Sequence, residues 1–259
     1  MEEYKIDKNN NAAHFFIDKH LDTKIENKKV FIEATSTYRS ISYKELSIQT
    51  NKMIDLLSKL NVRREERVLM LVLDQIEFPI IFWGCIKAGV IPVPINTLLS
   101  KDIIKTILDD CRAKTIFVSQ EIKDLIFDIP DLYKHIDNIF IIGKSDNNND
   151  VKNFTTELDL CVEKKIIEVS GDEPAFWLYS SGSTGEPKGV IHVHRSLLET
   201  FETYAVKVLK IKEKDMVFSV AKLFFAYGLG NAMTFPMGVG ATTALFPLRP
   251  TPDSVNEIM

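Results

Sequence analysis

Between Tyr179 and Val190 the chain reads Tyr-Ser-Ser-Gly-Ser-Thr-Gly-Glu-Pro-Lys-Gly-Val, and these residue types converge on the binding of a polyphosphate. Gly182, Gly185 and Gly189 let the backbone come close to a ligand and turn its N–H groups inward. Ser180, Ser181, Ser183 and Thr184 supply hydroxyls that donate to phosphate oxygens. Lys188 adds a full positive charge, and charge-assisted contacts are about twice as strong as neutral ones. Pro187 stiffens the run just before that lysine. Two better-known phosphate loops do not fit. A P-loop needs Gly directly before its Lys and a hydroxyl directly after it, whereas Pro187 and Gly189 flank Lys188. A GxGxxG turn is also absent, because Thr184 stands where the second glycine would be. A merely flexible Gly/Ser turn would not place Pro-Lys-Gly between two apolar strands.

The elements that must position this loop can be read from hydrophobic spacing. Ser42 opens a helix with Glu45 placed to complete a capping box, and Leu46, Met53, Ile54, Leu57 and Leu60 recur on one face. Arg67 to Leu73 reads as a buried strand. Gln75 to Ala88 reads as a helix closed by Gly89. Val90 to Ile95 holds Pro92 and Pro94, so it is an edge or terminal strand at best. A helix from about Ser100 to Cys111 follows, then a strand at Thr115 to Val118, a helix near Glu121 to Phe127 and a strand at Ile139 to Ile142. The polar stretch Lys144 to Asn153 is a surface loop and a plausible subdomain seam. After it come strands at Ala175 to Tyr179 and Val190 to Val193, a helix from about Ser196 to Val208, and strands at Met216 to Val220 and Ala241 to Phe246. Apolar strands alternating with helices make the fold class α/β, with mainly parallel sheets covered by helices.

The run Tyr179 to Val190 (YSSGSTGEPKGV) resembles the core phosphate-loop motif of the adenylate-forming superfamily, which holds acyl-CoA synthetases, peptide-synthetase adenylation domains and luciferases. The resemblance continues through Ile191-His192-Val193-His194-Arg195. It also covers the upstream stretch from Glu66 (ERVLMLVLDQIEFPIIFWGCIKAGVIPVPINT), and so nearly the whole chain. A second segment, Lys222 to Asn231 (KLFFAYGLGN), matches the position of the family's acyl-pocket motif and resembles the benzoate–CoA ligase branch. Phe225 and Tyr227 offer flat surfaces, Ala226 leaves room, and Gly228 and Gly230 let the chain bend around a ligand. Burying a phenyl ring contributes about 1.5–3 kcal/mol, enough to favour a ring acid over acetate but not to choose among substituted benzoates. From the residues alone, Phe224, Phe225 and Tyr227 read more simply as core aromatics.

The resemblance implies that a carboxylate attacks the α-phosphate of ATP, giving an acyl-adenylate, and that coenzyme A then displaces AMP, with Mg²⁺ sharing the charge. On this chain Ser180, Ser181, Gly182, Ser183, Thr184, Gly185 and Lys188 would hold the phosphates, and Phe225, Ala226, Tyr227 and Gly228 the acid. The matched stretch is an incomplete large amino-terminal domain. Residues 1–170 form a first α/β subdomain and 171–259 the start of a second, without the family's carboxy-terminal domain or its adenylation lysine. No catalytic residue and no metal ligand is assigned within it. The 259 residues alone are expected to show little ligase activity and to expose apolar surface where the missing remainder of the ligase would pack. A ligase for a cyclic aliphatic or other small acid, and a non-catalytic nucleotide-binding fragment, are the alternatives.

Composition narrows the partners. The net charge of −4, with no long basic stretch, gives no nucleic-acid surface. Arg63, Arg64 and Arg67 are interrupted by Glu65 and Glu66 and read as a solvated turn. Cys85, Cys111 and Cys161 lack any CxxC spacing and fit free thiols. The start MEEYKIDKNNN is not a signal peptide, and Phe78 to Ile86 is too short to span a bilayer, so a cytoplasmic protein without membrane contact is expected. A homo-oligomer is compatible with the sequence. His192 and His194, two apart on an expected strand, have no third metal ligand nearby, and His194 is the one assigned to a structural or pocket-lining place.

Overall fold

The computed structural model describes residues 11–130, 132, 136–144, 151–181 and 185–258. The described chain opens with a short helix, α1 (Ala12–Phe16), whose start is capped by the Asn11 side chain accepting from the Ala13 N–H. Strands β1 (Lys29–Glu33) and β2 (Ser40–Ser42) follow as an antiparallel pair. Helix α2 (Tyr43–Lys59) begins with the expected capping box: Ser42 accepts from the Glu45 N–H, and the Glu45 carboxylate accepts from the Ser42 N–H at 2.7 Å. Each such cap contributes about 1 kcal/mol.

Strand β3 (Arg67–Leu71), helix α3 (Glu77–Lys87) and strand β4 (Ile91–Pro94) form the first parallel crossover. Every residue of α3 is buried, and Gly84 lets it approach α2, since a Cβ there would stand 2.4 Å from Met53. Gly89 ends the crossover helix in the left-handed region, at φ +66°. Then come α4 (Lys101–Cys111), β5 (Thr115–Ser119), a 3₁₀ turn at Gln120–Ile122 with the short α5 (Asp124–Phe127), β6 (Asn138–Ile142), β7 (Lys152–Asn153) and α6 (Phe154–Asp159). The single helix expected near Glu121 to Phe127 is thus a turn plus one helical turn. Within the expected polar loop, Lys152 and Asn153 add a short strand. The sheet order is β4-β3-β5-β6-β7, all parallel. The prolines of β4 are accommodated because it is the edge strand. Alternation along β3 sends Val68 and Met70 into one core and Leu69 and Leu71 into the other, so the sheet is apolar on both faces.

Strands β8 (Pro174–Ser181) and β9 (Pro187–Val193) form a separate antiparallel hairpin. Helix α7 (His194–Thr200) starts two residues earlier than expected and runs on as π-helix over Phe201–Leu209. Strand β10 (Met216–Phe218) is followed by helices that the sequence reading did not contain: α8 (Ala226–Leu229), a π-helical turn at Gly230–Thr234, and α9 (Phe235–Val239). Strand β11 (Thr242–Leu245) and helix α10 (Pro252–Ile258) close the described chain. A second sheet has the order β10-β11-β1-β2, with β1 parallel to β11. Strands from either side of residue 170 therefore share one sheet. Among the described residues no helix is long and apolar enough to cross a membrane.

Candidate active site

The hairpin carries the phosphate-loop motif, and its register decides where each residue stands. Leu178 lies opposite Val190, Tyr179 opposite Gly189, Ser180 opposite Lys188 and Ser181 opposite Pro187. Strand pairing thus reaches further into the motif than expected, and Lys188 sits on a strand rather than in a loop. Gly182, Ser183 and Thr184 lie outside the described residues. Because side chains alternate along a strand, Lys188 shares a face with Val190 and His192, and opposite them stand Ser180, Leu178 and Phe176. Ser180, Gly185 and Lys188 are exposed. Among the described residues Lys188 makes no ion pair.

The other face of the hairpin is fastened. Trp177 and Tyr179 pack against the second core, the Arg67 guanidinium lies 5.5 Å from the Trp177 ring centroid, and the Tyr179 hydroxyl donates to Asp110. Burial and the Asp110 bond push the Tyr179 phenol up from its ordinary pKa. Gly189 serves this packing, since a Cβ there would stand 3.2 Å from the Tyr179 ring. Gly185 keeps the turn role, with φ +83° and nothing within 4 Å of a Cβ placed there.

The acid segment is more enclosed than its composition suggests. Leu223 and Phe224 are buried, Phe225 is the N-cap residue just before α8, and the Phe225 N–H donates to the Lys222 carbonyl at 3.0 Å. A Cβ on Gly228 would stand 2.0 Å from the Lys222 carbonyl oxygen, and one on Gly230 would meet the Phe235 ring at 2.7 Å. Both glycines therefore permit close helix contacts. Phe225 is 49% exposed, with its ring centroid 4.5 Å from that of Phe224. Tyr227 is 67% exposed and does not line the cleft described next, whereas Phe225 and Ala226 do.

A cleft of ≈ 600 Å³ joins the two segments. The hairpin contributes Ser180, Gly185, Pro187, Val190 and His192, and the acid segment contributes Phe224, Phe225 and Ala226. The third wall, Asn96 with Leu99, Ile103 and Ile107, comes from the chain after β4 and from α4. Sequence reasoning found α4 but not its place here. Asn96, just beyond the carboxyl end of a parallel strand, stands where ligands bind in open α/β sheets, a signal that could have found it.

His194 takes the structural place expected of it, whereas His192 stands at the cleft. His192 lines the cleft, its ring stacked on that of Phe176 at 4.5 Å and 3°. Among the described residues its imidazole makes no hydrogen bond, and burial lowers its pKa, keeping the ring neutral at pH 7. His194 instead begins α7, is 1% exposed and accepts from the Ala12 N–H at 3.1 Å through Nδ1. Desolvation pushes its pKa down to about 4. Among the described residues no group of three or more His, Cys, Asp or Glu could hold a metal ion, so they do not fit a Mg²⁺ site of their own.

Residues 20–259 match the family of AMP-binding enzymes. The chain is 39% identical over 254 residues to a benzoate–CoA ligase of Thauera aromatica, an alignment covering 98% of this chain and 47% of that protein. It is 40% identical over 254 residues to a 4-hydroxybenzoate–CoA/benzoate–CoA ligase of Rhodopseudomonas palustris, covering 96% and 45%. The fold matches a benzoate CoA ligase from Burkholderia xenovorans LB400 with a TM-score of 0.83 at 34% identity, over 95% of this chain and 47% of that one. It matches the anthranilate CoA ligase AuaEII, solved in complex with anthranoyl-AMP, with a TM-score of 0.89 at 32% identity, over 96% and 47%. The chain spans about half the length of these relatives. With the phosphate-loop motif on a hairpin facing an aromatic wall, and with a family match from residue 20 to residue 259, the chain belongs to the AMP-binding enzyme family.

Proposed function

We propose that the intact protein containing this segment activates an aromatic carboxylic acid of the benzoate type to its coenzyme A thioester. One observation carries the reading: a single cleft takes its lining from both the phosphate-loop hairpin and the Phe225–Ala226 wall. In the first half-reaction an acid carboxylate oxygen attacks the α-phosphorus of ATP, forming the acyl-adenylate and releasing pyrophosphate. In the second, the CoA thiolate attacks the acyl carbonyl, forming the thioester and releasing AMP. The segment's part is to align two anions and offset the charge between them.

Ser180, Ser181, Gly182, Ser183, Thr184 and Gly185 hold the β- and γ-phosphates, and Lys188 neutralises them from the cleft-facing side of β9. The ring of the acid lies against Phe225 and Ala226, with Val190 opposite. When bound, Mg²⁺ would shield the phosphate oxygens. The relatives named for benzoate, hydroxybenzoate and anthranilate support a ring acid. The buried, unpaired thiols Cys85, Cys111 and Cys161 suit a reducing cytoplasm. The test is product analysis of the intact protein with benzoate, ATP and CoA. Benzoyl-CoA and AMP formed one for one support the reading, and ADP formation or no thioester contradicts it.

A further inference from the structure

Asp74 follows β3 at the carboxyl edge of the parallel sheet and is 4% exposed. Its Oδ1 accepts from the Leu223 N–H at 3.1 Å, and its Oδ2 lies 4.0 Å from the Lys222 Nζ. Lys222 in turn donates to the carbonyls of Phe246 and Leu248, the latter at 2.7 Å. One carboxylate therefore ties the loop after β3 to the start of the acid segment and, through Lys222, to the chain leaving β11. Leu223 and Phe224 are buried directly beyond this node, and Gly228 closes back on the Lys222 carbonyl. Phe225 and Ala226 emerge into the cleft from that frame.

As a stabilising device the node is weak. A buried carboxylate gives up its hydration, and one amide donor with an ammonium at 4.0 Å returns little of it. Burial accordingly pushes the Asp74 pKa up to about 6, against the pull of Lys222 and the Leu223 N–H. What the node does supply is a fixed origin for the acid wall.

We propose that Asp74 is a positioning residue for the acid site, fixing Lys222 and Leu223 so that Phe225 and Ala226 face Val190 and His192 across the cleft. This rests on reading the cleft as the acid site. The test uses the intact protein and Asp74→Ala, Asp74→Asn and Lys222→Met. Acid-dependent ATP–pyrophosphate exchange is read alongside amide hydrogen exchange of residues 222–229.

Asp74→Ala is expected to raise KM for benzoate about tenfold and to flatten the preference over acetate, with KM for ATP within about twofold. Asp74→Asn keeps an acceptor for the Leu223 N–H and is expected to recover most of the loss. Lys222→Met, which leaves Asp74 in place, is expected to shift benzoate KM less than Asp74→Ala. Equal changes in KM for ATP and for every acid, with no recovery in Asp74→Asn, would make the role merely structural and overturn the proposal. If no acid supports exchange in the unaltered protein, the cleft reading fails; the anchoring is still judged by amide exchange, faster at 222–229 in Asp74→Ala if it holds and unchanged if it does not.

Discussion

The two halves of the cleft are built in opposite ways. The phosphate-loop hairpin is clamped at its base, where Phe176 packs on Phe82 at 5.5 Å and His194 is buried against Ala12, and is exposed at its tip, where Ser180, Gly185 and Lys188 stand in solvent. The chain that carries Phe225 and Ala226 is the reverse: just before them Leu223 and Phe224 are core residues, and the helix that follows touches the backbone at Gly228. The exposed groups proposed to grip phosphate should thus contribute little to stability, whereas the chain behind the proposed acid site is part of the fold. Activity and stability should separate at the hairpin tip and move together at the wall.

The largest effect is expected at Lys188. Lys188→Ala should lower kcat/KM for the intact protein by about 10²–10³-fold, because an aligned charge is lost where charge develops. The melting temperature should not move, since the side chain is exposed and unpaired among the described residues. A drop of several degrees would show that the tip is structural after all.

The hairpin base should respond to acid. The pKa of His194 is about 4 in the folded chain, below its ordinary value of 6.5, so the folded state resists protonation. Its contribution is present above pH 6.5 and is lost as pH falls toward 4, on the order of 3 kcal/mol in all. His20, buried with Nε2 2.7 Å from the Met237 carbonyl and also held near 4, acts in the same direction. Asp74 opposes them, because its raised pKa favours the folded state as pH falls through 6. Urea midpoints at pH 7 and pH 4.5 should differ less in His194→Gln than in the unaltered chain. An identical pH slope would contradict the burial of that imidazole.

At the wall, Gly228→Ala should destabilise by about 2–3 kcal/mol, since its Cβ meets a backbone carbonyl that has little freedom to retreat. The midpoint of urea unfolding reads this directly, and an unchanged midpoint would mean α8 stands off from residues 221–222. The smallest effect is expected at Phe225, which is half-exposed in the cleft. Phe225→Ala should raise KM for benzoate about tenfold and leave acetate almost unaffected. Equal losses for both acids would remove Phe225 from the acid wall.

Much of this architecture was legible from local pattern. The Ser42–Glu45 capping box, the crossover from β3 through α3 to β4, and the edge position implied by Pro92 and Pro94 all depend on short-range chemistry. What escaped depends on distant partners. Strand β1 is five residues long and pairs Phe31 with Thr243, a partner no local window contains. The helices after Ala226 hold Gly228, Gly230, Pro236 and Gly238, residues that read as breakers. Packing of Phe235 over Gly230 and of Phe201 over Gly238 makes those glycines the means of helix contact. At the site, the motif was legible as a run of residue types, but the exposure of Tyr227 and the stacking of His192 on Phe176 were not, because exposure and stacking are tertiary properties.

The most direct measurement is acid-dependent ATP–pyrophosphate exchange by the intact protein with benzoate, 4-hydroxybenzoate, cyclohexenecarboxylate, acetate and a fatty acid. Exchange that is strongest with the ring acids and collapses in Lys188→Ala is the predicted result. Exchange that ignores the acid, or none with any acid, would contradict a cleft in which hairpin and aromatic wall work as one site.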